Sequence, residues 1–254
     1  MIELSDYGIC KASLAPVRAE ASDKSEIVTQ LLFGDYVKVL EKGTPWVRIY
    51  FPADDYEGWM DFKQLAYISK QEFDAGHTAD HLLVNSDFLQ VQSPNGMQWL
   101  VLGSNLPGLK NGSIKLGDLE YELTEDLPSL NESLTATAKR YLNTPYLWGG
   151  KGILGIDCSS LTQMVAKLHG KRLARDCFRQ VKAGELVSYS ERKSGDLMFF
   201  INNKEHIHHV GILLDDQQII HAAGEVRIDN YDEKGIFRVD FNTHTHHFHS
   251  IRRI

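Results

Sequence analysis

Short stretches in which apolar and polar residues alternate fill roughly the first 125 positions, and turn residues break them at regular intervals. The segments VRAE, IVTQLLF, YVKVLEK, WVRIYF and GWMDFKQLAYI follow one another in this way, and short, evenly spaced strands predict small barrels. In YVKVLEKGTPWVRIY, Val37 and Val39 and then Trp46, Ile49 and Tyr50 flank Lys42-Gly43-Thr44-Pro45, which predicts a β-hairpin. From about Phe73 to Leu123 a second strand-rich stretch follows, with HLLVNSDFLQVQS, MQWLVLG and the turn-rich SNLPGLKNGS. It reads as a divergent second module, without a strict internal repeat.

The pattern changes at Leu127-Pro128-Ser129. Ser129 and Glu132 spell an S-x-x-E capping box ahead of SLTATAKRYLN, so a helix is expected to open a third domain there. Further on, Leu161, Met164, Val165 and Leu168 recur at helical spacing and Gly170 supplies a stop. The strands DLMFFIN, HHVGILL and QIIHAA come next. An α+β protein of three domains is expected, with boundaries at 1–68, 69–125 and 126–254.

The bulk numbers narrow the function classes. A 43% hydrophobic and 24% charged chain of 254 residues is ordinary for a globular protein. A formal charge of -7 argues against nucleic acid as the main partner. Three cysteines cannot all pair within one chain, which favours a reducing compartment over a disulfide scaffold. The start MIELSDYGICKASLAPVRAE lacks a basic n-region and an apolar h-region, and no apolar run is long enough to span a membrane. A cytoplasmic protein with no membrane partner is the expectation, or an exported one if a leader has been removed.

The candidate chemistry starts from Cys158 in GIDCSSLTQMVAKLHG. Its predicted place is the first helical turn, with Asp157 as N-cap, where unpaired backbone N–H groups lower a thiol pKa. Free cysteines are more often inert and buried, so a base decides the matter. His209 begins the strand HVGILL and His221 ends QIIH, with Asp215-Asp216-Gln217-Gln218 between them. For both imidazoles to share a face of one antiparallel hairpin, the connection must hold an odd number of residues or a bulge. His206, His208 and the run His244, His246, His247 and His249 show how easily histidines match by chance; the alternation of HTHHFH puts several imidazoles on one strand face, which reads as solvated ahead of a divalent-metal site. No cysteine or carboxylate pair at ligand spacing accompanies them, so neither metal nor cofactor is expected.

The segments YLWGG (146–150 with Tyr141 to Pro145 leading in), IDCSS, HVGILL and IIHA, in that order, resemble the NlpC-type papain-like cysteine peptidases of bacterial cell-wall metabolism. Residues 9 to 68, with VKVL, WVRIY and EGWM, resemble bacterial SH3-like domains, and 69–125 do so loosely. The combination is similar to γ-D-glutamyl-L-diamino acid endopeptidases, dipeptidyl-peptidase VI-like enzymes that trim murein peptides. The resemblance implies a papain-like domain behind two SH3-like barrels, with Cys158 as nucleophile, His209 as proton shuttle and His221 as its orienting partner. Tyr146 is expected near the thiol, as an oxyanion donor or as a packing aromatic.

The substrate implied is a murein peptide, L-Ala-γ-D-Glu-diamino acid, with a free L-alanine amine, handled in peptide recycling. Asp157 matches the family's carboxylate for that amine, Ser159 a substrate contact, and Arg175-Asp176 a segment lining the cleft or a solvated loop. Tyr56 resembles a barrel tyrosine that closes the amine pocket, with Glu26 or Asp35 as a second carboxylate. Two positions depart from the family pattern: Ser160 stands where glycine is usual and Cys177 where serine is usual. Another thiol amidase or acyltransferase of the same superfamily, or a non-catalytic wall-binding protein, fits the same residues.

Overall fold

A computed structural model describes residues 5–254. The chain divides between Leu130 and Asn131 into two compact units.

In the first unit, a seven-stranded sheet runs in the order Ile27–Leu32, Leu14–Arg18, Tyr56–Asp61, Trp46–Phe51, Tyr36–Glu41, Tyr7–Cys10, Leu65–Tyr67. The hairpin predicted around Lys42 to Pro45 is present, with Val39 paired to Ile49 and Lys38 to Tyr50. Every other residue of these strands points inward, so that Val37, Val39, Val47, Ile49 and Met60 form one core with Val17 and Leu31. The second stretch builds a four-stranded sheet, Gly96–Val101, Phe88–Ser93, Leu119–Leu123 and Ser113–Leu116, rather than a copy of the first.

The division expected at residue 68 passes through shared apolar packing. Ile9, Phe33, Ala66 and Ile68 lie in one cluster with Val84, Leu89, Val91, Leu100, Ile114 and Leu116. A helix at Lys70–Gly76, absent from the sequence reading, joins the two sheets in sequence. Ser69 starts it with a capping box: its hydroxyl accepts from the Glu72 N–H, and the Glu72 carboxylate accepts from the Ser69 N–H.

The second unit has three helices, α1 (Leu134–Lys139), α2 (Cys158–Leu168) and α3 (Cys177–Gln180). Besides a small pair, Lys151–Gly152 with Gly155–Ile156, its main sheet is built of β1 (Glu185–Val187), β2 (Leu197–Ile201), β3 (Ile207–Leu213), β4 (Gln218–Ala223), β5 (Glu225–Asp232), β6 (Gly235–Arg238) and β7 (Thr243–Arg253). The capping box expected at Ser129 and Glu132 is not the one used. Ser133 caps α1, its hydroxyl accepting from the Ala136 N–H at 3.2 Å. The Glu132 carboxylate instead accepts from the Thr137 hydroxyl at 3.1 Å and from Arg140 at 3.3 Å. The helix begins later because the side chain one residue past the predicted box reaches the orphan N–H groups.

The strands form one sheet in the order β1-β7-β2-β3-β4-β5-β6, and β7 also pairs with β6, which closes β2 to β7 into a barrel. Met198, Phe200, Leu213, Ile219, Tyr231, Ile236 and Ile251 fill a core on one face of it. Helix α2 packs on β3 and β4 and is buried over nearly its whole length, Lys167 excepted. Its stop falls where expected, at Gly170 with φ +68°. Helix α3 is tied to α2 through Gln180, whose amide accepts from the Thr162 hydroxyl at 2.7 Å and donates to the Ser159 and Ala174 carbonyls at 2.8 Å.

Candidate active site

Cys158 is the first residue of α2, and Asp157 is its N-cap, accepting from the Ser160 N–H at 2.8 Å. The same carboxylate accepts from the Gly149 N–H at 3.0 Å and so ties the Tyr146–Gly150 loop to the helix start. Arg175 completes the arrangement with two further bonds to Asp157 and one to the Ser159 hydroxyl at 3.0 Å, while Ser159 donates to Asp157 at 3.1 Å. Arg175 is 2% exposed and Asp157 5%. A carboxylate has roughly four lone-pair sites, and here they are filled.

Three expectations change as a result. Arg175 is not a solvated loop residue but the buried partner of Asp157. Ser159 is a brace between the two. Asp157 serves as cap and tether, without lone pairs to spare for a substrate amine. Sequence spacing could not show this, because Arg175 lies 18 residues away.

The thiol of Cys158 receives a backbone hydrogen bond from Val210, the residue after His209, which joins the helix start to β3. The expected lowering of the thiol pKa by the helix start does not prevail. Burial pushes it well up, with Asp157 and Cys177 adding to the rise, and Val210 and Arg175 only partly oppose it. The first turn of α2 lies under protein rather than facing water, and desolvation of the charged form outweighs the helix-end dipole.

His209 and His221 are brought together as the hairpin rule requires. Gly211 pairs with His221 and Leu213 with Ile219, so five residues, an odd number, separate the last pair. His209, two residues before Gly211, then shares the face of His221. Gly211 leaves this face open: a Cβ there would sit 2.8 Å from Ile219 Cδ1 and 2.9 Å from the Ile220 carbonyl oxygen.

Hydrogen bonds set the tautomers. His209 Nε2 is 2.9 Å from His221 Nδ1, and His221 Nε2 is 3.0 Å from Asp229 Oδ2. Asp229 is held below the usual carboxylate range by its bonds from His221 and Arg227, which outweigh the opposing effect of burial, so it accepts. His221 must then carry its proton on Nε2 and present the Nδ1 lone pair to the Nε2–H of His209. The lone pair of His209 is left on Nδ1, available as a base. Burial lowers the pKa of both imidazoles, well below 6.5 for His209, where His246, His221 and His208 push in the same direction. Burial thus works against the charged form of the thiol and of the imidazole alike.

Asp229 escaped the sequence reading, since one acid in VRIDNYD on a strand carries no signal of its own. Its register shows its part: it lies two residues beyond Arg227, which pairs with His221, so all three share a face. His246, on a strand face expected to be solvated, packs inward against His209. Its ring lies 4.1 Å from that of His209, centroid to centroid.

The remaining candidates are taken within their own units. Tyr146 is half-buried and bridged through its backbone to Ile156, two residues before Cys158; burial raises its hydroxyl pKa, and Cys158 and Asp157 add to the rise. Asp176 is the N-cap residue of α3, makes no side-chain cap bond, and lies 4.0 Å from Arg179 with 21% of its side chain exposed. Cys177 opens α3 and its thiol faces the Ile207 carbonyl at 3.8 Å. Tyr56 opens a strand of the first unit, half-buried, and Glu26 there is exposed. Asp35 is 4% exposed and spent on the Leu32 N–H and the Asn105 amide, so it is a turn residue rather than a second amine carboxylate.

Residues 143–244 match the NlpC/P60 family model, and residues 17–65 match the bacterial dipeptidyl-peptidase SH3 domain. A γ-D-glutamyl-L-lysine dipeptidyl-peptidase of Bacillus subtilis is 30% identical, over 77% of this chain and 72% of its own. Dipeptidyl-peptidase 6 of Lysinibacillus sphaericus is 28% identical over 91% of this chain and 94% of its own. Among solved structures, an NlpC/P60 family protein of Bacillus cereus superposes with a TM-score of 0.77, covering 97% of this chain and 99% of that one at 22% identity.

Proposed function

This chain belongs to the NlpC/P60 family of cysteine peptidases, and on that premise we propose that it cuts the γ-D-glutamyl bond to a diamino acid in short murein peptides with a free N-terminal L-alanine. The observation that carries this reading is the relay His209–His221–Asp229 on a strand whose next residue, Val210, bonds through its backbone to the thiol of a cysteine at a helix start. The names of the similar Bacillus enzymes support L-lysine as the residue after the cut and a dipeptide as the released product.

In the proposed reaction, His209 Nδ1 takes the Cys158 proton as the sulfur bonds to the γ-carbonyl carbon. The tetrahedral oxyanion is met by the Cys158 backbone N–H and the Tyr146 hydroxyl. The carbon–nitrogen bond breaks as His209 gives its proton to the leaving amine, and the imidazolium formed in between is held by His221, itself anchored on Asp229. Water, deprotonated by His209, then attacks the thioester, and the thiol regains its proton as the dipeptide acid leaves. The substrate amine is assigned to Asp176, whose side chain is 21% exposed and which stands between Arg175 and Cys177 at the start of α3.

The test is to incubate wild type and Cys158→Ala with L-Ala-γ-D-Glu-L-Lys, free and N-acetylated, with the diaminopimelate peptide in parallel. Cleavage of the free peptide by wild type alone is expected. Equal cleavage by both proteins would sink the assignment of the nucleophile, and equal cleavage of free and acetylated peptides would sink the amine contact.

A further inference from the structure

The strand β7 closes the barrel by pairing with both β2 and β6, and it carries His246 opposite Ile236. A register shift at Phe199/Phe200 in the pairing of β2 with β7 leaves His246 near Phe200, the residue that pairs with His209 across β2 and β3. The His246 ring is 6.0 Å from Phe200, 5.8 Å from His208, 5.7 Å from His221 at 77°, and 4.1 Å from His209 at 29°. The stack on His209 is the shortest of the ring contacts that imidazole makes, among Phe200 at 5.8 Å, His221 at 5.0 Å and His208 at 6.3 Å.

A single hydrogen bond from Nε2 fixes one end of the His209 ring, and the plane of the ring about that bond is set by what packs on its faces. A swing of that plane moves Nδ1, the nitrogen that must meet the thiol. A second ring stacked on its face opposes such a swing.

On the reading of the site given above, we propose that His246 is a positioning residue, an aromatic plate that holds the plane of His209 so that Nδ1 stays aimed at Cys158. The plate works through its shape and its π-face. Burial and the nearby histidines push the pKa of His246 down to about 3, so it is neutral beside His209 and places no charge against the imidazolium formed during turnover. A neutral π-face against that cation is favourable.

The experiment compares His246→Phe, His246→Leu and His246→Ala with wild type on L-Ala-γ-D-Glu-L-Lys, with thermal melts of each protein and with Cys158→Ala and His209→Ala alongside. A swing of the ring costs rate rather than binding. The Leu and Ala variants are therefore expected to lose about 10- to 100-fold in kcat while KM stays within about twofold. His246→Phe, which keeps a ring, is expected to recover most of the rate. His246→Leu keeps the volume, so the proposal remains testable if the Ala variant melts early. Wild-type kcat in a folded Leu variant overturns it, and so does a Phe variant as slow as the Leu variant. Cys158→Ala and His209→Ala must both be inactive for the reading of the site to stand; activity in either discards that reading and the plate with it.

Discussion

His221 stands between two acceptor-defining partners: its Nε2 is 3.0 Å from Asp229 Oδ2 and its Nδ1 2.9 Å from His209 Nε2. Asp229, in turn, accepts two bonds from Arg227, at 2.7 and 2.8 Å. The carboxylate on β5, next to the closing strand β6, thus decides which nitrogen of His209 holds the proton.

Replacing Asp229 tests that dependence. Asp229→Asn keeps the shape but offers an N–H that can bind either tautomer of His221, and a wrong tautomer leaves His209 without its acceptor. A fall in kcat of about 10- to 100-fold with a folded protein is expected, smaller than the loss on replacing a base directly. Unchanged kcat would show that His221 is oriented without Asp229.

The pH dependence follows from burial. With the His209 pKa well below 6.5, activity is expected to persist below that value and to be lost only as pH falls through the depressed pKa. The thiol is raised, so alkylation of Cys158 by iodoacetamide without substrate should stay slow up to about pH 9 and show no plateau at acid pH. A fast, pH-independent reaction near neutrality would instead indicate a resting thiolate–imidazolium pair.

The same shifts affect folding stability. His209, His221 and His246 all titrate lower in the folded chain than the usual 6.5. As pH falls below 6.5 the unfolded chain takes up protons that the folded chain refuses, so stability is lost progressively, down towards the His246 value of about 3. Melts between neutral and acid pH should fall steadily through this window, and a flat profile would contradict the burial of these rings.

Arg175 and Asp157 hold the loop, the helix start and the segment before α3 together. Arg175→Met leaves a buried carboxylate without its cation, and breaking such a pair costs about 3–5 kcal/mol. A lowered denaturation midpoint and lost activity together are the expected result. Wild-type stability would mean that Asp157 is satisfied by its backbone donors alone.

Ser160, at a position where the family more often has glycine, is fully buried and its hydroxyl has no hydrogen-bond partner among the described residues. Ser160→Ala removes an orphan that costs about 1–3 kcal/mol and improves helix propensity. The N–H that Asp157 caps is retained. A higher melting temperature with unchanged kcat is expected, and a loss of activity would give the hydroxyl a role in the site.

Much of this was legible in residue order. Helix α2 and its Gly170 stop follow from the spacing of Leu161, Met164, Val165 and Leu168 and from glycine's tolerance of positive φ. The odd connection between His209 and His221 follows from strand alternation, because period-two geometry is local. What tertiary structure alone decided depends on chain segments far apart: Arg175 filling Asp157, Asp229 setting the tautomers through register across β4 and β5, and His246 reaching His209 because β7 closes the barrel. The protonation state of Cys158 belongs to the same class. A helix start favours the thiolate, but desolvation is a property of everything packed around a group, and no local pattern encodes it.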